Sequence, residues 1–101
     1  VGSVQRHPVA ADVPTFVELG YKNIDVDLWY AFYLPVKAAP GLVSSLNTEI
    51  TAIWREPAVR DVLGKGGMDA RASTPEELNA LGQKDFARWG HVIKSKNIAP
   101  D

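Results

Sequence analysis

The sequence predicts an α/β fold with a few short strands and about four helices. Three observations carry that reading. Val26 to Leu34 is dense in β-branched and aromatic residues, which suits a strand. Pro40 to about Arg55 and the stretch after Thr74 each repeat apolar residues at three- and four-residue steps, the spacing of a helix face. Prolines and glycines separate these runs, so strand-like and helix-like patterns alternate along the chain.

Residues 5 to 14 are turn-rich, because Pro8 and Pro14 cannot donate to a ladder or a helix. Asp12 or Val13, followed by Pro14 in the first turn, opens a short helix to about Leu19, and Gly20 suits its left-handed stop. From Val26 to Leu34 the alternation is clear only at the start, as expected of a strand covered on both faces. Pro40 to Arg55 places Leu42, Val43, Leu46, Ile50, Ile53 and Trp54 on one stripe. Glu56-Pro57 ends it, since a residue before proline is pushed out of the helical region. A short helix follows from Pro57 to Leu63, stopped by Gly64-Lys65-Gly66-Gly67, and Met68 to Ala72 reads as a brief strand. The last helix is signalled by Thr74 as N-cap, Pro75 in the first turn and Glu77 completing a capping box. Its stripe is Leu78, Leu81, Phe86, Trp89, Val92 and Ile93, interrupted by Gly82 and Gly90, one of which is expected to permit close packing.

Length and composition bound the function. A chain of 101 residues fits one domain and buries roughly 60–65 % of its unfolded surface if it folds alone. A net charge of −1 and scattered Lys and Arg give no footprint for nucleic acid. With no cysteine there are no disulfides and no thiolate metal sites. The opening Val1-Gly2-Ser3-Val4 holds neither an initiator Met nor a secretion signal, as expected of a processed, truncated or engineered product.

No catalytic set emerges. His7 and His91 have no carboxylate at helical spacing and read as ordinary surface or capping histidines. Asp25 and Asp27 share one face of the predicted strand, where a solvated strand start is the plainer reading than a cation pair. The glycines around Lys65 follow a helix rather than a strand, so they are a helix stop and not a phosphate loop. No serine lies in a Gly-x-Ser-x-Gly elbow. Among Trp29, Tyr30, Phe32 and Tyr33, at least half face a core, and Trp54 and Trp89 belong to core stripes. The turn from Asp12 to Thr15 admits two readings: a capped helix start and nothing more, or a set of backbone N–H groups that favours an anion.

The order of motifs adds a further expectation. Asp12-Val13-Pro14-Thr15-Phe16 with Glu18 and Gly20-Tyr21, then Trp29, Leu46-Asn47, Pro57-Ala58-Val59-Arg60, Thr74-Pro75-Glu76-Glu77 and Arg88-Trp89-Gly90 resemble, in that order, the tripartite tricarboxylate transporter solute receptors, also called the Bug family. The likeness covers essentially the whole chain but about the last third of a typical member. There are departures: Ala11 stands where the family has proline, Lys37-Ala38-Ala39 replaces a Gly-Thr-Pro turn, and Ala31 replaces a frequent glycine. Losing that threonine removes an expected helix N-cap, worth about 1 kcal/mol.

The resemblance implies a C-terminal fragment of a two-lobed, periplasmic-binding-protein-like fold. Residues 1–25 would finish the second lobe, 26–34 would cross the hinge as a strand, and 35–101 would complete the first lobe. It implies a non-enzymatic, periplasmic function without cofactor or metal: binding a small organic acid and passing it to membrane transporter subunits. Asp12, Val13, Thr15 and Phe16 would lie nearest the ligand, and Asp25, Asp27 and Trp29 would serve the hinge. The alternative is a free-standing α/β interaction module that completes its core as a homo-oligomer.

Overall fold

The computed structural model describes residues 1–99. Its elements are a 3-10 turn at Pro8–Ala10 and three α-helices, α1 (Pro40–Arg55), α2 (Pro57–Lys65) and α3 (Pro75–Ser95). Among the described residues there is no strand, so the expected α/β fold is corrected to a helical one joined by extended and turned segments. The reason is specific to strands. A helix satisfies its own backbone, whereas a strand exists only when a neighbour accepts and donates along its length. Val26 N–H does reach Gly2 O at 2.7 Å, but from Leu28 to Leu34 no backbone ladder forms. The expected strand from Met68 to Ala72 is likewise absent; Met68 N–H bonds back to Leu63 O at 2.9 Å and closes the end of α2.

Each helix begins at a proline, whose missing N–H costs nothing in the first turn. At α3 the capping box is complete: Thr74 Oγ1 accepts from Glu77 N–H at 3.1 Å and Thr74 N–H donates to the Glu77 carboxylate at 2.8 Å. At α1 the cap position is Ala39, and no side chain caps the helix, as expected from the lost threonine. Leu42 and Val43 N–H groups bond the Ala39 carbonyl instead. The C-terminal ends of α2 and α3 share one device. Gly67 (φ 74°) and Asn97 (φ 52°) adopt the left-handed conformation, and the following residues, Met68 and Ile98, donate back to Leu63 O and Ile93 O. These are Schellman closures, and glycine or asparagine is needed because a larger side chain is strained at positive φ. The stop after α2 therefore falls at Gly67 rather than Gly64, which extends that helix two residues past the predicted Leu63.

The extended segment 26–34 runs between α1 and α3 and is pinned by its aromatics. Trp29 Nε1–H donates to Asp85 Oδ2 of α3 at 2.7 Å. Phe32 stacks on Trp54 of α1 with ring centroids 6.2 Å apart. A methyl at Gly82 of α3 would lie 3.7 Å from the Tyr33 hydroxyl, ordinary contact, so Gly82 is not required for packing there. Asn47 of α1 donates to Ser73 O at 2.9 Å and ties that helix to the start of α3.

These ties do not build a core. No hydrophobic residue among those described is buried, and Trp54 and Trp89, expected in a core, are half-exposed. The helix stripes are real in their periodicity, but no partner covers them. The exposed area is 8457 Å², against about 5,600 Å² for a folded monomer of this mass. The radius of gyration is 16.6 Å, against about 13 Å for a compact chain of this length.

Candidate functional site

Among the described residues the one fully buried side chain is Thr15, 1 % exposed. Thr15 Oγ1 accepts from Glu18 N–H at 3.1 Å, and Thr15 N–H donates to Glu18 Oε2 at 2.7 Å. This is a second capping box, over a single turn from Phe16 to Leu19. The turn closes as α2 does. Gly20 (φ 93°) donates to Val17 O at 3.0 Å, and Tyr21 N–H donates to Phe16 O at 2.9 Å. The rings of Phe16 and Tyr21 meet edge-on at 5.9 Å, the apolar contact that accompanies such a closure. The cap is thus Thr15, not Asp12 or Val13, and the expected helix to Leu19 is only this turn.

Two further contacts fix the turn. Val1 lies alongside Thr15: its nitrogen donates to Pro14 O at 2.7 Å and its carbonyl accepts from Phe16 N–H at 3.1 Å. Gly2 then reaches Val26, and an added Cβ there would sit 2.7 Å from the Val26 carbonyl oxygen, closer than any side-chain carbon tolerates. Val1-Gly2 therefore bridges the loop at 12–16 to the extended segment that follows Asp25. On the other side, Arg6 Nε donates to both oxygens of Glu18 at 3.0 and 2.9 Å, while Arg6 Nη1 donates to Ala11 O at 3.0 Å.

Asp12, Val13, Thr15 and Phe16 share this loop, and the amides among them are largely spoken for. Val13 N–H bonds Ala10 O, Thr15 N–H bonds Glu18, and Phe16 N–H bonds Val1 O. Asp12, Val13 and Phe16 are exposed, so they form a surface, with Thr15 as its internal support. Asp25, Asp27 and Trp29 lie on the extended segment. Asp25 stands 3.9 Å from Arg88 and Asp27 3.9 Å from Arg71, loose pairs worth little at exposed positions. Trp29 makes the firm contact. An open apolar groove of about 540 Å³ lies beside it, walled by Val26, Leu28, Trp29, Phe86, Trp89 and Ile93. That groove does not touch the 12–16 loop. His7 caps the Pro8–Ala10 turn, its Nδ1 accepting from Val9 N–H, and His91 is exposed. No group of three or more metal-ligating side chains occurs among the described residues.

Sequence reasoning missed Arg6 and Val1-Gly2. The Thr15-x-x-Glu18 spacing was a legible cap signal, identical in form to Thr74-x-x-Glu77. Nothing local marks Arg6 as a partner of a residue twelve positions away.

Comparison with known proteins places the chain in a family. The tripartite tricarboxylate transporter family receptor matches residues 1–98. The chain belongs to that receptor family. It is 28 % identical over 94 residues to a UPF0065 protein from the clcB-clcD intergenic region of Pseudomonas knackmussii, covering 92 % of this chain and 56 % of that protein. A UPF0065 protein from the tcbD-tcbE intergenic region of a Pseudomonas species is 31 % identical over 94 residues, 92 % of this chain and 28 % of the relative. Protein BugT of Bordetella pertussis is 27 % identical over 82 residues, 81 % of this chain and 25 % of BugT. The chain thus spans from a quarter to about half of these relatives' lengths. No solved structure matches it. Receptors of the tripartite tricarboxylate family are periplasmic solute-binding proteins, not enzymes. No helix among the described residues is long and apolar enough to cross a membrane.

The Arg6–Glu18 pair gives the receptor loop a pH dependence of definite sign. The hydrogen bond from Arg6, then that from Thr15 N–H, holds the Glu18 carboxyl below its ordinary range; the same bond raises Arg6. A carboxyl depressed in the folded state stabilises it at pH values above the unfolded value, about 4.3. That contribution is lost as pH falls through the lower folded value. We expect the protection of the Thr15 amide, measured against the intrinsic exchange rate at each pH, to fall on acidification through that window and to be steady from about pH 5 to 8. Both side chains are nearly half exposed, so added salt should shrink the effect.

Proposed function

We propose that this chain is the C-terminal portion of a two-lobed periplasmic receptor that binds a small organic acid and delivers it to the membrane subunits of a tripartite transporter. The observation that carries the reading is the pairing of a family match from end to end of residues 1–98 with an apolar surface left bare. Leu28 and Tyr30 are each 79 % exposed, Phe32 72 % and Phe86 84 %. Large bare apolar patches on a soluble protein mark surfaces that something covers. In the whole receptor the remaining chain supplies that cover.

On this reading residues 1–25 belong to the second lobe, 26–34 cross the hinge and 35–101 complete the first lobe. Asp12, Val13 and Phe16 form part of the cleft wall over the supporting Thr15. The loop's own bonds are already made, so a ligand meeting its exposed side chains loses little ordering entropy on contact. Asp25 and Asp27, held only by loose pairs, leave the hinge free to turn, and Trp29 anchors its far end to α3.

The test is calorimetric titration of the whole receptor, and separately of residues 1–101, with succinate and citrate. The receptor should take up at least one acid in the micromolar range, and the isolated chain neither at millimolar concentration, because closure between two lobes supplies the grip. Micromolar uptake by the chain alone would refute the two-lobed reading. A receptor indifferent to both acids would refute the carboxylate assignment.

A further inference from the structure

We infer that Arg6 and Glu18 are positioning residues for the ligand-facing loop, an inference that rests on the cleft assignment of Asp12 to Phe16 proposed above. The geometry is that of a clasp. The Glu18 carboxylate holds the loop after Pro14 by accepting Thr15 N–H at 2.7 Å. The Arg6 guanidinium holds it before Asp12 by donating to Ala11 O at 3.0 Å. The two side chains close on each other through Nε at 2.9 and 3.0 Å. One ion pair therefore fixes both ends of the stretch that carries Asp12, Val13 and Pro14, and neither residue needs to touch the ligand.

The rest of the loop cannot do this alone. The Val13-to-Ala10 bond sets one turn on the entry side, and the Val1 bonds set the exit side. Neither spans the loop from Ala11 to Thr15. A clasp made of charged groups is stronger and more directional than neutral bonds, and the planar guanidinium supplies both donors from one rigid fork. Without it the loop samples several shapes, and apparent affinity falls by the fraction of time the competent shape is lost.

The experiment is titration of the whole receptor with succinate and citrate in wild-type, Arg6→Ala, Arg6→Lys, Glu18→Ala and Arg6→Ala/Glu18→Ala forms, with thermal unfolding alongside. Glu18→Ala and Arg6→Ala should each weaken binding by roughly three- to fivefold while the number of sites per molecule stays the same. Arg6→Lys should recover part of the loss, since it keeps the charge but not the fork. The double variant should be no worse than the worse single, because the two act as one unit. A pair that served only folding would lower the number of competent sites and the melting temperature, leaving the affinity of the surviving sites unchanged. That result, or wild-type affinity in every variant, overturns the inference while the carboxylate reading stands. If the wild-type receptor binds neither acid, the reading fails first and takes the inference with it.

Discussion

Produced alone, residues 1–101 should bind an apolar dye such as anilinonaphthalene sulfonate, sediment with a mass that rises with concentration, and unfold over a broad temperature range. The argument is one of magnitude. Fully burying a large apolar side chain contributes about 1.5–3 kcal/mol. Leu28, Tyr30, Phe32, Tyr33, Val36 and Phe86 are all left largely in water. Six such residues forgo on the order of 10 kcal/mol, as much as the whole net stability of an ordinary domain, about 5–15 kcal/mol. Most of the bonds that do exist, at caps and turns, are local, and the few distant ones, such as Trp29–Asp85, do not replace the missing burial. In the two-lobed receptor proposed above, the same residues should lose dye binding and take part in a sharp transition. A concentration-independent monomer with a sharp transition and no dye response would mean the chain is sufficient by itself.

What the sequence could and could not reveal follows the same division between local and distant interactions. The bounds of α1 and the start of α3 were legible because proline at N1, the Thr74–Glu77 box and the apolar stripe all act within a few residues. The stop of α2 was misplaced by two residues, since any of Gly64, Gly66 and Gly67 satisfies the composition and only the φ of Gly67 decides. Strand character at Val26–Leu34 was read from residue preference, but preference for a pleated surface is not a partner, and no partner lies alongside. The candidate loop was half legible. Its residues drew attention as a motif, yet the N-cap was assigned to Asp12 or Val13 when Thr15-x-x-Glu18 fills the role. The Arg6–Glu18 pair and the Val1-Gly2 contacts that shape it span twelve residues or more and leave no periodic trace.

The distant contact with the largest expected consequence is that of Trp29. Its indole N–H reaches Asp85 Oδ2 at 2.7 Å across 56 positions, joining the extended segment to α3 where both groups are half-buried. Trp29→Phe keeps an aromatic ring in the groove and removes only the donor, so Asp85 loses that hydrogen bond while still partly withdrawn from water. A hydrogen bond to a charged group contributes about 1.5–3 kcal/mol when enclosed. Partial exposure reduces the expected loss to about 1–2 kcal/mol. Trp29→Ala also strips the groove of its largest wall and should cost about 2–4 kcal/mol. Asp85→Asn retains an acceptor oxygen and should cost less than Trp29→Phe, because a neutral acceptor still receives the indole N–H. These orderings can be read from urea midpoints of the whole receptor. The decisive comparison is the cycle of Trp29→Phe, Asp85→Ala and the double variant. A bond between the two side chains makes the second substitution nearly free once the first is made, a coupling of about 1 kcal/mol. Additivity to within about 0.3 kcal/mol would show that the indole and the carboxylate stabilise the fold independently, and the extended segment would then have to be held by the Phe32–Trp54 stack instead.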